Sequence, residues 1–93
     1  MTALLIFTKE STHDQSEIDI YQRQVRATFE GHPIKLVAAG IPAILEGKAV
    51  EGIVIIEFPT IDAARAWYDG ADYQAIIQHR FNGAKYSVVL VAS

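Results

Sequence analysis

Cysteine is absent from the 93-residue chain. That excludes disulfides, thiol catalysis, thiolate-bound zinc and iron–sulfur clusters, and it fits a reducing compartment. Basic runs are absent too. The formal charge is −3, and the densest cationic patch is Arg23 and Arg26, interleaved with glutamine. Nucleic-acid binding rests on a cationic footprint, so no nucleic acid is expected as a partner. The glycines are isolated turn residues, which rules out a phosphate-cradling loop. His13, His32 and His79 stand in no known metal-ligand spacing, so neither a metal nor a cofactor is expected. The apolar run near the N-terminus, Ala3 to Phe7, is too short for the core of a signal peptide or for a membrane span. The expectation is a soluble, cytoplasmic protein with no membrane partner.

Apolar residues are what the chain has in quantity. Hydrophobic types make up 51% of it, and the mean hydropathy is +0.17. A chain of this length forms one domain, here residues 1–93, and buries only roughly 60–65% of its unfolded surface on folding alone. So much apolar surface on so small a body points to self-association.

Ala3 to Thr8 reads as a first strand, apolar on both faces, followed by a polar loop from Glu10 to Gln15. Ser16 is the expected N-cap of a helix to about Glu30, because Ile18, Tyr21, Val25 and Phe29 line up one apolar stripe. Gly31 and Pro33 stop it. Ile34 to Ile41 is a second strand, and Ala43 to Gly52 an extended arm or hairpin turning at Gly47. Ile53 to Phe58 is the clearest strand, with four β-branched residues in a row. Pro59 ends its pairing and Thr60 caps a second helix. That helix breaks at Gly70 and restarts near Asp72, its expected cap, running to about Arg80. Asn82 and Gly83 form a turn before the last strand, Lys85 to Ala92.

The order β-α-β-β-α-β predicts an α+β, ferredoxin-like fold, a four-stranded antiparallel sheet with its helices on one face. An open α+β sandwich of different strand order is the alternative. Alternation along the strands separates two sets of residues. Val54, Ile56 and Phe58, with Ile34, Leu36 and Ala38, and with Tyr86, Val88, Leu90 and Ala92, carry no charge and belong under the helices. The opposite sets carry Lys35, Glu57 and Ser87 but are otherwise mostly apolar. Pairing two sheets face to face in a homodimer would cover that second face.

The stretch EFPTIDAARAWYDGADYQ, Glu57 to Gln74, with Leu45-Glu46-Gly47 upstream, resembles the family known as domain of unknown function 1330. The likeness covers most of Gly40 to Val91. It implies the dimeric α/β-barrel superfamily, whose members pair ferredoxin-like sheets back to back. Its wider relatives include monooxygenases, isomerases and haem enzymes, so the resemblance brings a fold and not a reaction. In the first forty residues, Asp14-Gln15-Ser16 stands where the family usually has an aspartate–proline entry to the first helix and His32-Pro33 where it has Gly-Gly; further on, Gly70-Ala71 replaces its Ser-Pro.

Glu57, a carboxylate near the end of an apolar strand, is a candidate general base, and His32 and His79 are candidate acid–base groups. A structural carboxylate and a helix-capping histidine are the plainer alternatives. Tyr73, Trp67, Arg80 and Lys35 are the candidate ligand-binding residues, Trp67 being read first as core and Tyr73 as the one to present its hydroxyl to a cleft or a partner. Two functions follow. One is a dimeric protein holding a small apolar ligand between sheet and helices. The other is a cofactor-independent monooxygenase or isomerase using a carboxylate or histidine in that cleft.

Overall fold

The structure, a computed structural model, describes residues 2–93. Four strands and three α-helices follow one another as β1 (Ala3–Thr12), α1 (Gln15–Val25), β2 (Lys35–Gly40), β3 (Gly52–Phe58), α2 (Ile61–Tyr68), α3 (Ala71–Gly83) and β4 (Ala84–Ala92). A 3₁₀ turn, Arg26–Phe29, extends α1. The strands lie in the order β2-β3-β1-β4, each antiparallel to its neighbour. This is the expected ferredoxin-like sheet. α1 packs chiefly on α3, and α2 touches β1, β3 and β4.

Side-chain alternation works as the sequence predicts on β3 and β4, and β1 follows the same pattern. Ala3, Leu5 and Phe7 of β1 and Ile56 and Phe58 of β3 are buried beneath the helices. On β4, Val88 and Leu90 pack against the same core while Val89 and Val91 are exposed on the other face. β2 departs from the expectation. Leu36 pairs with Ile56, but Ala38 pairs with Ile55 and Ala39 with Val54, so Val37 is an extra residue in the ladder. One inserted residue reverses the facing of everything after it. Ala38 therefore shares the outer face with Ile55, opposite to where uninterrupted alternation puts it. All of β2 is exposed, Leu36 at 52% included, because the helices do not extend over this edge.

A second irregularity lengthens β1. Lys9 pairs with Tyr86 and Ser11 with Lys85, leaving Glu10 as the bulged residue. The stretch to Thr12 is thus strand and not loop. Glu10 accepts a hydrogen bond from Ser87 Oγ and lies 3.6 Å from Lys85 Nζ.

The caps also differ in part. Asp14, not Ser16, caps α1: its backbone is extended and its carboxylate accepts from the Ser16 amide at 3.1 Å. Thr60 caps α2 as expected, accepting from Ala63 N at 3.0 Å. Gly70 occupies the cap position of α3 with no side chain to contribute, and Asp72 lies in the first turn instead. A Cβ on Gly70 would stand 2.7 Å from the Ala66 carbonyl oxygen, so only glycine lets the two helices meet this closely. Residues 41–51 form no hairpin. They are an open arm with Ile41 86% and Leu45 93% exposed, turning at Gly47 with φ of 101°.

Asn82 and Gly83 are not a loop. α3 runs through them, and β4 begins at the next residue. The Gly83 carbonyl accepts from the amides of His13 (2.9 Å) and Asp14 (3.0 Å), tying the end of α3 to the start of α1. A Cβ at Gly83 would lie 2.7 Å from Ile18 Cγ1 and 3.0 Å from the Asp14 carbonyl oxygen. Ile18 is fully buried and cannot step aside. Gly83→Ala is therefore expected to lower the unfolding free energy by about 1–3 kcal/mol, and Thr60→Ala by about 1 kcal/mol, both read by chemical denaturation. An unchanged midpoint for Gly83→Ala would show that the junction has slack it does not display.

Candidate functional site

Trp67 is the centre of the core. At 2% exposure it packs against Tyr73, with ring centroids 4.3 Å apart, and against Phe29, Phe58 and Phe7 at 5.7, 5.9 and 6.3 Å. Its indole N–H donates to Thr28 Oγ1 at 3.0 Å, and Thr28 in turn donates to the Val25 carbonyl at 2.6 Å. The 3₁₀ turn after α1 supplies that acceptor, so the only polar atom of the indole is satisfied.

Arg80 lies beside this core and is 3% exposed. Its position follows from helical spacing: Tyr73, Ile76, Ile77 and Arg80 fall on one buried stripe of α3. Among the described residues no carboxylate pairs with it. Nη2 donates a long bond of 3.3 Å to Tyr68 Oη, and Nε is buried with no hydrogen-bond partner among the described residues. Three aromatic rings take the place of a counter-ion: Phe81 and Tyr86 with centroids 5.0 Å from Cζ, and Phe7 at 5.8 Å. Each such contact is worth about 0.5–2 kcal/mol. Removing an ion from water costs several kcal/mol, and guanidinium cannot escape by losing its proton.

All four tyrosines of the chain gather around this cation. Tyr21 and Tyr73 are buried, their hydroxyls 2.7 Å apart and their rings edge to face. Burial pushes the Tyr21, Tyr73 and Tyr86 hydroxyls above the usual tyrosine range, and the Arg80 charge opposes that rise at each. The hydroxyls are thus held neutral, as hydrogen-bond donors.

An apolar cavity of about 140 Å³ adjoins the cluster, between α1 and the sheet. Phe7, Val54 and Ile56 form its floor, and Tyr21, Trp67 and Tyr86 are among its walls. A second space of about 150 Å³ shares Phe7, Gln22, Val54 and Tyr86 and continues to Lys9 and Glu51. Glu51 is held there by Thr12, whose amide donates to it at 3.1 Å. Hydrogen bonds from Thr12 keep the Glu51 carboxyl below its ordinary value.

The candidates named from sequence do not converge. Trp67, Tyr73 and Arg80 come together in the cluster just described. The Tyr73 hydroxyl is turned to Tyr21 and is wholly buried. Glu57 and Lys35 stand opposite one another on the ladder, on the sheet face away from the helices, and Arg80 makes no contact with Glu57. His79 Nδ1 is 2.8 Å from Glu17 Oε2 across the α1–α3 seam, which leaves it outside the cavity. His32 lies in the turn after the 3₁₀ segment, its amide bonded to the Phe29 carbonyl. Tyr21 and Tyr86 went unnamed as site residues, although alternation and helical spacing already turned both inward. Among the described residues no three metal-ligating side chains lie together.

The sequence model of the family described as "Domain of unknown function (DUF1330)" matches residues 2–93, and the chain belongs to that family. No curated protein matches the sequence. Solved structures resemble it closely in fold at low identity. A protein of unknown function from Rhodopseudomonas palustris superposes with a TM-score of 0.81 at 15% identity, over 99% of this chain and 82% of that one. A dimeric ferredoxin-like protein of unknown function from Thermobifida fusca gives 0.72 at 16%, over 100% and 92%. SnoaB, a cofactor-independent oxygenase from Streptomyces nogalater, gives 0.62 at 15%, over 99% and 90%. Identities this low carry the fold alone.

The raised tyrosine hydroxyls set the alkaline behaviour. A group whose folded pKa exceeds its unfolded value contributes stability that is complete below the unfolded pKa, about 10 for tyrosine, and lost as pH rises beyond it. Tyrosinate absorbance from Tyr21, Tyr73 and Tyr86 is expected to appear together with loss of helical circular dichroism, not before it. Full ionisation of Tyr21, Tyr73 and Tyr86 in a folded protein would contradict the neutral cluster.

Proposed function

We infer that this chain acts as a single ferredoxin-like domain, residues 1–93, which pairs into a cytoplasmic homodimer and holds a small planar, mostly apolar ligand between α1 and the sheet. The observation that carries the reading is the aromatic-walled cavity of about 140 Å³ beside a buried cation. That volume is close to the roughly 150 Å³ in which an engineered apolar cavity in another protein accommodates benzene. Among the described residues no histidine lines the cavity, and Glu57, His32 and His79 are not part of its lining. Binding therefore has more support here than a proton-transfer reaction of the oxygenase or isomerase type.

Pairing has its own support. The outer sheet face presents Val89 at 50% and Val91 at 45% exposure, with Leu4, Ile6, Ile53 and Ile55 half-buried around them. Two structurally similar proteins of unknown function, from Thermobifida fusca and Bacteroides fragilis, are described as dimeric. Roughly 800 Å² from each partner makes a standard stable interface. Glu57 and Lys35 then belong to the surface that meets the second copy. The negative charge of the chain and its lack of a helix long and apolar enough to cross a membrane, among the described residues, fit a small molecule and a second copy as the partners.

Two measurements test these points. In sedimentation the protein is expected to run as a dimer at micromolar concentration, and Val89→Asp as a folded monomer. A monomeric wild type would refute the pairing. Benzene is expected to shift the Trp67 indole N–H resonance in a saturable way, and Val54→Trp, which fills the floor of the cavity, to abolish the shift. An unperturbed Trp67 at saturating benzene would refute the cavity as a site.

A further inference from the structure

The geometry points to an organic anion as the ligand: a single-ring or similarly small planar molecule bearing a carboxylate or a phenolate-like oxygen, with Arg80 as the residue that selects for charge. The inference rests on the cavity reading above and specifies its chemistry.

The first observation is the cation itself. Arg80 is 3% exposed, pairs with no carboxylate among the described residues, and leaves Nε buried without an acceptor. Arginine buried in proteins is ordinarily matched to a carboxylate or phosphate, and guanidinium stays charged whatever its surroundings. Here aromatic faces stabilise the charge but accept no hydrogen bond along the N–H directions. The free protein therefore carries an unmet donor beside its cavity.

The second observation is the placement of that donor. The rings against which the guanidinium lies, Phe7 and Tyr86, are walls of the cavity. Tyr21, whose hydroxyl lies 2.7 Å from that of Tyr73, belongs to the same lining. The Arg80 charge acts on both hydroxyls. An oxygen anion at this end of the cavity lies beside a neutral Tyr21, in a low-dielectric setting where the nearby Arg80 cation is felt strongly. The apolar floor of Val54 and Ile56 takes the rest of the molecule. A cationic ligand of the same shape is repelled, and a neutral one gains only the apolar contact.

The third observation is the charge balance around the cavity. The adjoining space leads to Lys9 and Glu51, where Lys9 Nζ stands 4.0 Å from the Glu51 carboxylate. Since Glu51 balances Lys9 there, the unbalanced positive charge near the cavity is that of Arg80. Selection by charge therefore falls to Arg80.

Benzoate, benzamide and benzamidine share one shape and differ in charge, so calorimetric titration of the full chain with each isolates the charge effect. Benzoate is expected to bind at least about tenfold more tightly than benzamide, and benzamidine more weakly than either. In Arg80→Met the benzoate-to-benzamide ratio is expected to fall to about one. Should that variant not fold, Tyr21→Phe, which keeps the ring, is expected to lower the same ratio several-fold. Equal affinities for benzoate and benzamide in the wild type, or an unaltered ratio in the variant that folds, would overturn the assignment of Arg80. Benzene binding without a preference for the anion would sink this inference and leave the cavity reading standing. Failure of benzene and all three probes would sink both.

Discussion

A charge that can neither be neutralised nor reach water constrains this molecule more than any other single feature. Arg80 sits on the inward stripe of α3, and the fold answers with aromatic rings and phenolic oxygens instead of an acid. Phe7 comes from the first strand, Tyr21 from the first helix, Tyr68 from the second, Tyr73 and Phe81 from the third, and Tyr86 from the last strand. Five elements of the fold are thereby held in register around one guanidinium. Replacing a buried ionic group by an apolar one of similar size is often neutral or stabilising.

Packing and chemistry meet in Trp67. Its indole fills the centre of the core, its N–H reaches the 3₁₀ turn after α1, and one edge of it borders the cavity. The same residue thus fixes how far α1 stands from the sheet and forms part of the wall that a ligand would touch. Thr28 matters here in a way its small size hides, because it is the acceptor that lets a tryptophan be fully buried.

Much of the architecture was legible in the residues. The four β-branched positions of β3, the inward sets of β3 and β4, and the Thr60 cap all stand where local pattern places them. What pattern could not show was where it would be interrupted. The bulge at Val37 reverses the second half of β2, and that at Glu10 carries β1 onward to Thr12. Nothing in either local composition announces an extra residue, since the partner strand decides whether one is accommodated. The cap of α1 fell two residues early because Asp14 reached the Ser16 amide first. The site was half legible. Arg80 occupies the helical position three and four residues beyond Ile77 and Ile76, so its inward turn was implied. The usual preference of arginine for the surface argued the other way.

The join between α3 and β4 gives the fold a sense of direction under mechanical or evolutionary change. With no intervening loop, a residue added after Gly83 would have to rotate the final strand or unwind the helix, and either would shift Tyr86 relative to Arg80. The arm from Ile41 to Val50 is largely exposed and joins no strand or helix. Length variation in descendants of this chain should therefore collect in the arm, leaving the helix-to-strand corner as the fixed datum against which everything else is measured.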